Sequence, residues 1–199
     1  MKKIILAVIA VMTFGWANAQ DVKFGIKGGV DFHKLTKLES ASMKTGFVAG
    51  AFAEFKVSEN FAFQPEILYS AQGVRVKYSK AYFSSDEKVN LGYLNVPLMF
   101  KYYVIEGLNI EAGPQIGFLL SAKSKYKVTD DYGTVSSNDD IKRLCNSVDF
   151  GLNFGLGYDV TKNLSVGARY NLGLTNVYKS DYFAKAKNSV ISLTVGYKF

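Results

Sequence analysis

The sequence contains few of the residues that build metal sites, redox centres and disulfide scaffolds. Its 199 residues include one cysteine, Cys145, and one histidine, His33. An intrachain disulfide framework and a cysteine-rich metal site are therefore excluded. Only three prolines are present, and 48% of the residues are hydrophobic. This composition excludes a disordered or collagen-like chain and is typical of one folded domain or two very small ones.

Long apolar runs are also missing, except at the N-terminus. A positively charged start and an apolar run over residues 4–16 precede the small residues Ala17-Asn18-Ala19. This pattern predicts a cleaved signal peptide over residues 1–19. The run is too short for a membrane helix, which needs about 20 apolar residues. We therefore expect an exported domain over residues 20–199 that contains no membrane-spanning helix.

The exported part alternates apolar and polar side chains with a period of two, which is typical of half-buried β-strands. Eight such segments are predicted, at residues 22–32, 47–56, 61–72, 94–102, 108–120, 147–159, 164–174 and 191–199. All twelve charged side chains within them lie on the polar face. A register slip of one residue in a strand would move its charges onto the apolar face, so the strand register is well specified.

Short and long connections alternate between these segments. Short turns at 58–60, 105–107 and 161–163 separate four long loops, which we place at 33–44, 73–88, 122–144 and 176–188. An even number of strands of about 10 residues, with short turns at one end and long loops at the other, is typical of membrane barrels. The sequence therefore predicts an all-β fold, an eight-stranded antiparallel up-and-down transmembrane β-barrel.

Alternation alone also fits a soluble antiparallel barrel or sandwich, in which the apolar faces would point inward. Aromatic residues at the ends of the apolar faces, such as Phe24 and Tyr158, favour the membrane form, because aromatic girdles mark membrane interfaces. Three prolines, Pro65, Pro97 and Pro114, fall within predicted strands. Each removes one hydrogen bond from a ladder, so we expect β-bulges at these positions.

Several motifs resemble a known family. They are QPEILYS at residues 64–70, YLNVPLMFKYY at 93–103, Gly113-Pro114 and FGIKGG at 24–29. Together they are similar to the PorT-like outer membrane protein β-barrel domain family, and the resemblance extends over the exported chain. It implies an eight-stranded outer-membrane barrel in which the strand prolines belong to the pattern. Because the family's namesake takes part in protein secretion, it also implies an alternative role as an accessory component of a secretion apparatus.

Charges of both signs occupy the predicted inward face. This lumen set is Lys27, Glu54, Glu66, Lys101, Glu111, Asp149 and Arg169. The interior of an eight-stranded barrel is just wide enough for side chains to fill it, and buried charges must be paired. We therefore predict a salt-bridge network that closes the lumen, with a narrow ion path as the alternative.

The chain ends in an alternating strand with Tyr197 and Phe199. This ending resembles the C-terminal assembly signal of outer-membrane barrels. We therefore expect recognition by the barrel-assembly machinery.

The long loops carry 15 lysines and arginines and eight acidic residues. Basic loops beside an outer leaflet of phosphorylated glycolipid predict contact with lipopolysaccharide phosphates, although solvated lysine-rich loops fit equally well. Other envelope proteins remain candidate partners. Nucleic acid is not expected, because the aromatic residues belong to strand faces rather than to a base-stacking platform.

Catalytic chemistry has little support in the sequence. His33 with Asp31, Ser40 and Ser42 in the first loop is the arrangement that a lipid-modifying enzyme would use. A single loop histidine is weak support, so we predict no catalytic, cofactor or metal site. Cys145 is expected to be a packed thiol. The sequence therefore predicts an outer-membrane protein of a Gram-negative bacterium with a structural, adhesive or interaction role through basic extracellular loops.

Overall fold

The computed structural model describes residues 22–36, 41–80, 83–130, 133–179 and 185–199. The predicted signal peptide, residues 1–19, lies outside these ranges. Within them, no helix is long and apolar enough to cross a membrane.

The described chain consists almost entirely of antiparallel β-strands. Their bounds are β1 Val22–Leu35, β2 Ala41–Ser42, β3 Lys44–Lys56, β4 Phe61–Lys80, β5 Phe83–Tyr103, β6 Leu108–Asp130, β7 Gly133–Asp140, β8 Val148–Asp159, β9 Leu164–Asn176 and β10 Lys187–Lys198. A short 3₁₀ helix, Lys142–Leu144, precedes β8.

Eight of these strands close into a ring. In order around it they are β1, β3, β4, β5, β6, β8, β9 and β10, and β10 pairs back to β1. The short strands β2 and β7 stand outside the ring and pair with β4 and β6. Neighbours in the ring are therefore successive long strands of the chain, which confirms the predicted all-β, antiparallel up-and-down, barrel-like fold.

The ring turns its apolar face outward. The side chains of Phe24, Ile26, Phe154 and Leu156 are 50–55% exposed. On the opposite phase of the same strands Lys27 and other charged or amide side chains are buried. A soluble barrel would have the reverse orientation, with apolar side chains inside. The chain does not adopt that alternative.

Two segments predicted as long loops are β-structure instead. Most of residues 73–88 belongs to the hairpin of β4 and β5, and most of 122–144 to the hairpin of β6 and β7. These hairpins continue the ring beyond its rim as a four-stranded sheet. We call this sheet, formed by residues 73–80, 83–91, 122–130 and 133–140, the sheet extension. We call the opposite end of the ring, with turns 58–60, 105–107 and 161–163, the short-turn end.

A register shift lies at the base of the sheet extension. Gly92 pairs with Ser121 but Tyr93 pairs with Leu119, so β6 contains one extra residue, Leu120. This bulge reverses the orientation of the side chains that follow in β6. Ala122 and Ser124 are buried, whereas Lys123 and Lys125 are exposed. Because of this change of phase, the charged side chains of β6 point outward in the sheet extension and inward within the ring.

The prolines do not produce the expected bulges. Around Pro65, the pairs Phe52–Glu66 and Phe55–Phe63 keep the same register, and the positions between them are left unpaired. The β5–β6 ladder likewise keeps its register across a gap between the pairs Pro97–Gln115 and Phe100–Ala112, and this gap includes Pro114. The β6–β8 ladder pairs Pro114 with Leu152 and has no gap there. Each proline therefore interrupts a ladder locally without adding a residue to it. The prediction of bulges at these three positions was wrong.

An apolar core fills the space enclosed by the base of the sheet extension. Its members are Leu35, Val74, Val89, Leu91, Tyr93, Leu119, Ala122, Cys145, Val177 and Ala186. Cys145 lies within this core as a buried free thiol and forms an isolated bridge with Tyr178. The prediction of a packed thiol agrees with this position. The molecule therefore has an apolar core at one end and a polar interior in the ring.

Candidate functional site

The middle of the ring contains an ion-pair cluster centred on Arg169. Its guanidinium donates to both oxygens of Glu66, at 2.8 and 3.0 Å, and to Glu111 Oε1 at 2.8 Å. Lys27 Nζ lies 2.8 Å from Glu66 Oε1, and Gln64 donates to the same oxygen at 2.6 Å. Arg169 is on β9 and Glu66 on β4, four strands apart in a ring of eight. This pair therefore spans the full diameter of the lumen.

A second cluster lies near the short-turn end. Glu54 accepts from Lys101 Nζ at 3.1 Å and from Lys198 Nζ at 3.0 Å. Lys198 also contacts Asp159, with an Nζ–Oδ2 distance of 2.9 Å. The Tyr103 hydroxyl lies 3.3 Å from Glu54 Oε2 and 3.4 Å from Asp159 Oδ2. These side chains come from β3, β5, β8 and β10 and cross the opening of the ring.

Six of the seven predicted lumen residues are thus divided between two ion-pair clusters. The seventh, Asp149, is buried nearer the sheet extension, where Asn188 Nδ2 donates to it at 3.2 Å. In the described residues no cation lies within ion-pair distance of Asp149. The lumen set omitted Lys198 and Asp159, which the structure adds. Both lie on the polar phase of their strands, so the alternation contained the signal that would have found them.

Polar side chains fill the level between Asp149 and the Arg169 cluster. Asn171 donates to Asn153 Oδ1 at 3.0 Å, and Asn153 donates to Gln115 Oε1 at 3.2 Å. A cavity at this level of the lumen, lined by Asn153, Arg169 and Asn171 among others, has a volume of about 30 Å³. A space of this size holds one or two water molecules and no larger solute.

His33 does not lie in a loop, as predicted, but in β1 with its side chain buried in the lumen. Its Nε2 is 3.7 Å from Asp31 Oδ2, and the same Asp31 oxygen accepts from Ser70 at 2.6 Å. Ser40 and the side chain of Ser42 lie outside the described residues. Because Ser70 donates to the carboxylate rather than to His33, this group does not have the geometry of a nucleophile activated by a base.

The described residues contain no group of three or more histidine, cysteine or acidic side chains able to hold a metal ion. The sequence contains two pairs of adjacent aspartates, Asp130-Asp131 and Asp139-Asp140, and the second pair lies on the exposed strand β7. Asp131 lies outside the described residues. Burial raises the pKa of the Cys145 thiol, which disfavours the reactive thiolate form.

The C-terminal aromatic residues lie on the outer surface. Tyr197 and Phe199 are exposed, and their rings meet edge to face with centroids 5.5 Å apart. The backbone N–H of Phe199 donates to the Phe24 carbonyl at 2.9 Å, at the seam where the last strand meets the first. An assembly signal at these residues remains a prediction.

The outward side of the sheet extension is strongly basic. Five cations define this basic face: Arg75, Lys88, Lys123, Lys125 and Lys127. They were assigned to loops in the sequence, but the structure places them on three neighbouring strands.

Comparison with known proteins identifies the family. Residues 18–179 match the model of the family described as outer membrane protein beta-barrel domain. The chain belongs to this family. Membership implies an outer-membrane location for a chain whose apolar face already points outward. The general outer-membrane β-barrel resemblance is confirmed, whereas the PorT-like group within it stays a prediction.

Solved structures of outer-membrane barrels are similar to this member of the family. Neisserial surface protein A (NspA) is 14% identical, with a TM-score of 0.51 and coverage of 90% of this chain and 100% of that one. Ail of Yersinia pestis is also 14% identical, with a TM-score of 0.44 and coverage of 89% and 97%. The likeness to NspA shows the fold alone. No curated protein matches the sequence.

Proposed function

We propose that this chain is an integral outer-membrane β-barrel of a Gram-negative bacterium with a structural or adhesive role, carried by the sheet extension outside the cell. The observation that carries the proposal is the inverted distribution of side chains in the ring. Two ion-pair clusters lie inside, while every ring strand points large aliphatic or aromatic side chains outward, and only a few such side chains, among them Phe52, face the lumen. Such an outer face is stable against lipid and costs free energy in water.

The orientation of the barrel follows from its two ends. Barrels of this class have short periplasmic turns and longer extracellular segments. The sheet extension is therefore assigned to the outside, and the short-turn end to the periplasm. The exposed strand β7 and the basic face are then available to lipid, surface polymers and other envelope proteins.

Membrane fractionation with heat-modifiable gel mobility tests the barrel, because a folded barrel migrates anomalously until it is boiled. An epitope inserted between β6 and β7 should bind antibody on intact cells. The same epitope in the turn 161–163 should bind only after the outer membrane is permeabilised. Recovery of the chain as a freely dissolved periplasmic protein would overturn the proposal.

The role itself is tested in cells that lack the protein. Increased sensitivity to detergents supports a structural role, and reduced attachment to surfaces supports an adhesive one. If neither property changes and the epitope experiment succeeds, the location stands and the proposed role is wrong. We expect no enzymatic activity, because the side chain of His33 is buried in the lumen away from lipid.

A second candidate function is an accessory role in protein secretion, which the motifs at residues 64–70 and 93–103 favour through their resemblance to the PorT-like family. Purification in mild detergent distinguishes the two functions. Recovery within a multiprotein complex would favour secretion, whereas recovery as a single species would count against it.

A further inference from the structure

Three cations of the basic face lie directly beside one another. Arg75, Lys88 and Lys125 are ladder partners across β4, β5 and β6. Like charges opposite each other in a sheet destabilise it. Asp86 on the same face offsets part of this repulsion, since it accepts from Arg75 Nε at 2.8 Å and lies 3.9 Å from Lys88 Nζ. One carboxylate among three adjacent cations leaves an excess of positive charge.

A further cation approaches the same place from β3. Lys44 Nζ donates to Asn90 Oδ1 at 2.6 Å. It lies over Gly73, where a Cβ would be 2.0 Å from the Val89 carbonyl oxygen and 2.9 Å from the ammonium, so the absence of a side chain at position 73 leaves room for Lys44. Asn90 lies two residues from Lys88 on the same phase of β5, so the ammonium groups of Lys44 and Lys88 lie near each other. The fold therefore concentrates positive charge at Lys88 rather than dispersing it.

The remaining lysines of the basic face differ from Arg75 and Lys88 in forming no ion pair with Asp86, although Asp86 is the ladder partner of Lys127. In the part of the chain that the structure describes, no ion pair involves Lys123, Lys125 or Lys127. Asp140 lies opposite Lys123 in the ladder, but it accepts a hydrogen bond from the backbone N–H of Lys142 at 2.8 Å. The exposed ammonium groups of Lys123, Lys125 and Lys127 are therefore available to an external anion.

The basic face lies immediately above the apolar belt. Leu120 still points outward and is half exposed, and Lys123 and Lys125 follow it in β6. With about 3.4 Å per residue and a strand tilt of about 40°, these lysines lie roughly 8 and 13 Å above Leu120 along the membrane normal. The polar region of each leaflet is about 5–8 Å thick, so the backbone of Lys123 lies at the headgroup level. The backbones of Lys88 and Lys125 lie just beyond it, and their long flexible side chains can reach back to the headgroup phosphates.

We infer that the basic face binds the phosphate groups of the phosphorylated glycolipid in the outer leaflet, with Lys88 and Lys125 as the central contacts. The inference rests on the proposed function, because it requires the barrel to be in the outer membrane. Phosphate oxygens accept charge-assisted hydrogen bonds from lysine and arginine, and a bound phosphate would relieve the repulsion across the three strands. The sideways orientation of the face, above lipid-facing side chains, favours a membrane lipid over a soluble anion.

The test uses the purified full barrel in detergent, titrated with bis-phosphorylated lipid A and with the same lipid after dephosphorylation. The variant K88Q/K125Q should bind the phosphorylated lipid about 30-fold more weakly than the wild type. The variant K88R/K125R should bind like the wild type. The matched control K56Q/K162Q removes two exposed lysines at the short-turn end and should change affinity less than about twofold.

Three results would overturn the inference. They are equal binding of dephosphorylated lipid, an equal loss of affinity in K56Q/K162Q, and displacement of the lipid by a sulfated polysaccharide at a lower concentration than by lipid A itself. Heat-modifiable mobility of the same preparations shows whether the barrel is folded, and so distinguishes a wrong inference about lipid binding from a wrong proposed function. If the barrel is folded in the membrane but binds phosphorylated and dephosphorylated lipid equally, the proposed function stands and only the inference about phosphate binding is wrong.

Discussion

Arg169 is the residue on which the interior of the ring depends most. Its side chain is about one-tenth exposed and makes three hydrogen bonds to two carboxylates, one of which is fully buried. Removal of one partner from a buried ion pair leaves an uncompensated charge, which costs about 3–5 kcal/mol. We expect R169M to lower the free energy of unfolding by about 3 kcal/mol, because Lys27 remains as a partner of Glu66. Urea unfolding in lipid vesicles, followed by heat-modifiable mobility, measures the difference.

The control for this prediction is R143M, which removes an exposed arginine of the 3₁₀ helix and should leave the unfolding midpoint unchanged. The double variant E66Q/R169M should be less destabilised than the two single variants combined, because neither charge is then left alone. Equal midpoints for R169M and the wild type would mean that the cross-lumen pair contributes no net stability.

The sequence was informative at the residue scale where the membrane imposes a simple rule. A charge in a strand that faces lipid must point inward, so alternation alone located Lys27, Glu66 and Arg169. It did not identify partners, because contacts such as Arg169–Glu66 connect residues 103 positions apart. Pairing across the ring depends on strand order and shear, which the local pattern does not contain.

At the scale of elements, the loop prediction failed in the sheet extension, because charged side chains no longer have to point inward beyond the ring. Residues 122–128 alternate as clearly as the ring strands do, but the phase is reversed after the bulge at Leu120, and the lysines point outward. Residues 122–128 are therefore predicted wrongly when charged residues beyond a strand end are assigned to a loop. The long hairpins were detectable from their alternation, whereas the position of the bulge was not.

The β6–β7 hairpin lies beyond the ring, so most of it should be dispensable for folding. Replacing residues 125–138 with Asn-Gly joins the ladder partners Ser124 and Asp139 by a two-residue turn. Leu119 and Ala122 of the apolar core are retained. We expect a heat-modifiable barrel whose unfolding free energy falls by no more than about 1 kcal/mol, because the other ring ladders are unchanged.

A replacement of similar size within the ring is the matched control. Residues 155–169 exchanged for Asn-Gly would join Phe154 and Tyr170, which are also ladder partners, but would shorten β8 and β9 so that neither spans the membrane. This variant should not form a heat-modifiable barrel. If the hairpin replacement fails in the same way, the β6–β7 hairpin is required for assembly, and the division between ring and sheet extension is not a folding boundary.

At the scale of the whole molecule, the lumen is closed at several successive levels. The cluster around Glu54 crosses the short-turn end, the Arg169 cluster spans the middle, and the apolar core seals the end near the sheet extension. An ion that crosses the ring would have to displace buried ion pairs and then enter an apolar core without water, which carries a large desolvation penalty. The interior of an eight-stranded ring offers no second route around these levels.

We therefore expect planar bilayers that contain the folded protein to show no stepwise conductance at 100 mV, while a large porin measured in the same bilayers conducts. The triple variant E66S/E111S/R169S should stay silent too, because it empties the middle level and leaves the apolar core in place. Conductance in the triple variant alone would mean that the Arg169 cluster is the only barrier and that neither the Glu54 cluster nor the apolar core closes the lumen in the membrane. Conductance steps in the wild type, in preparations that remain heat-modifiable, would favour the narrow-pore alternative over a closed structural barrel.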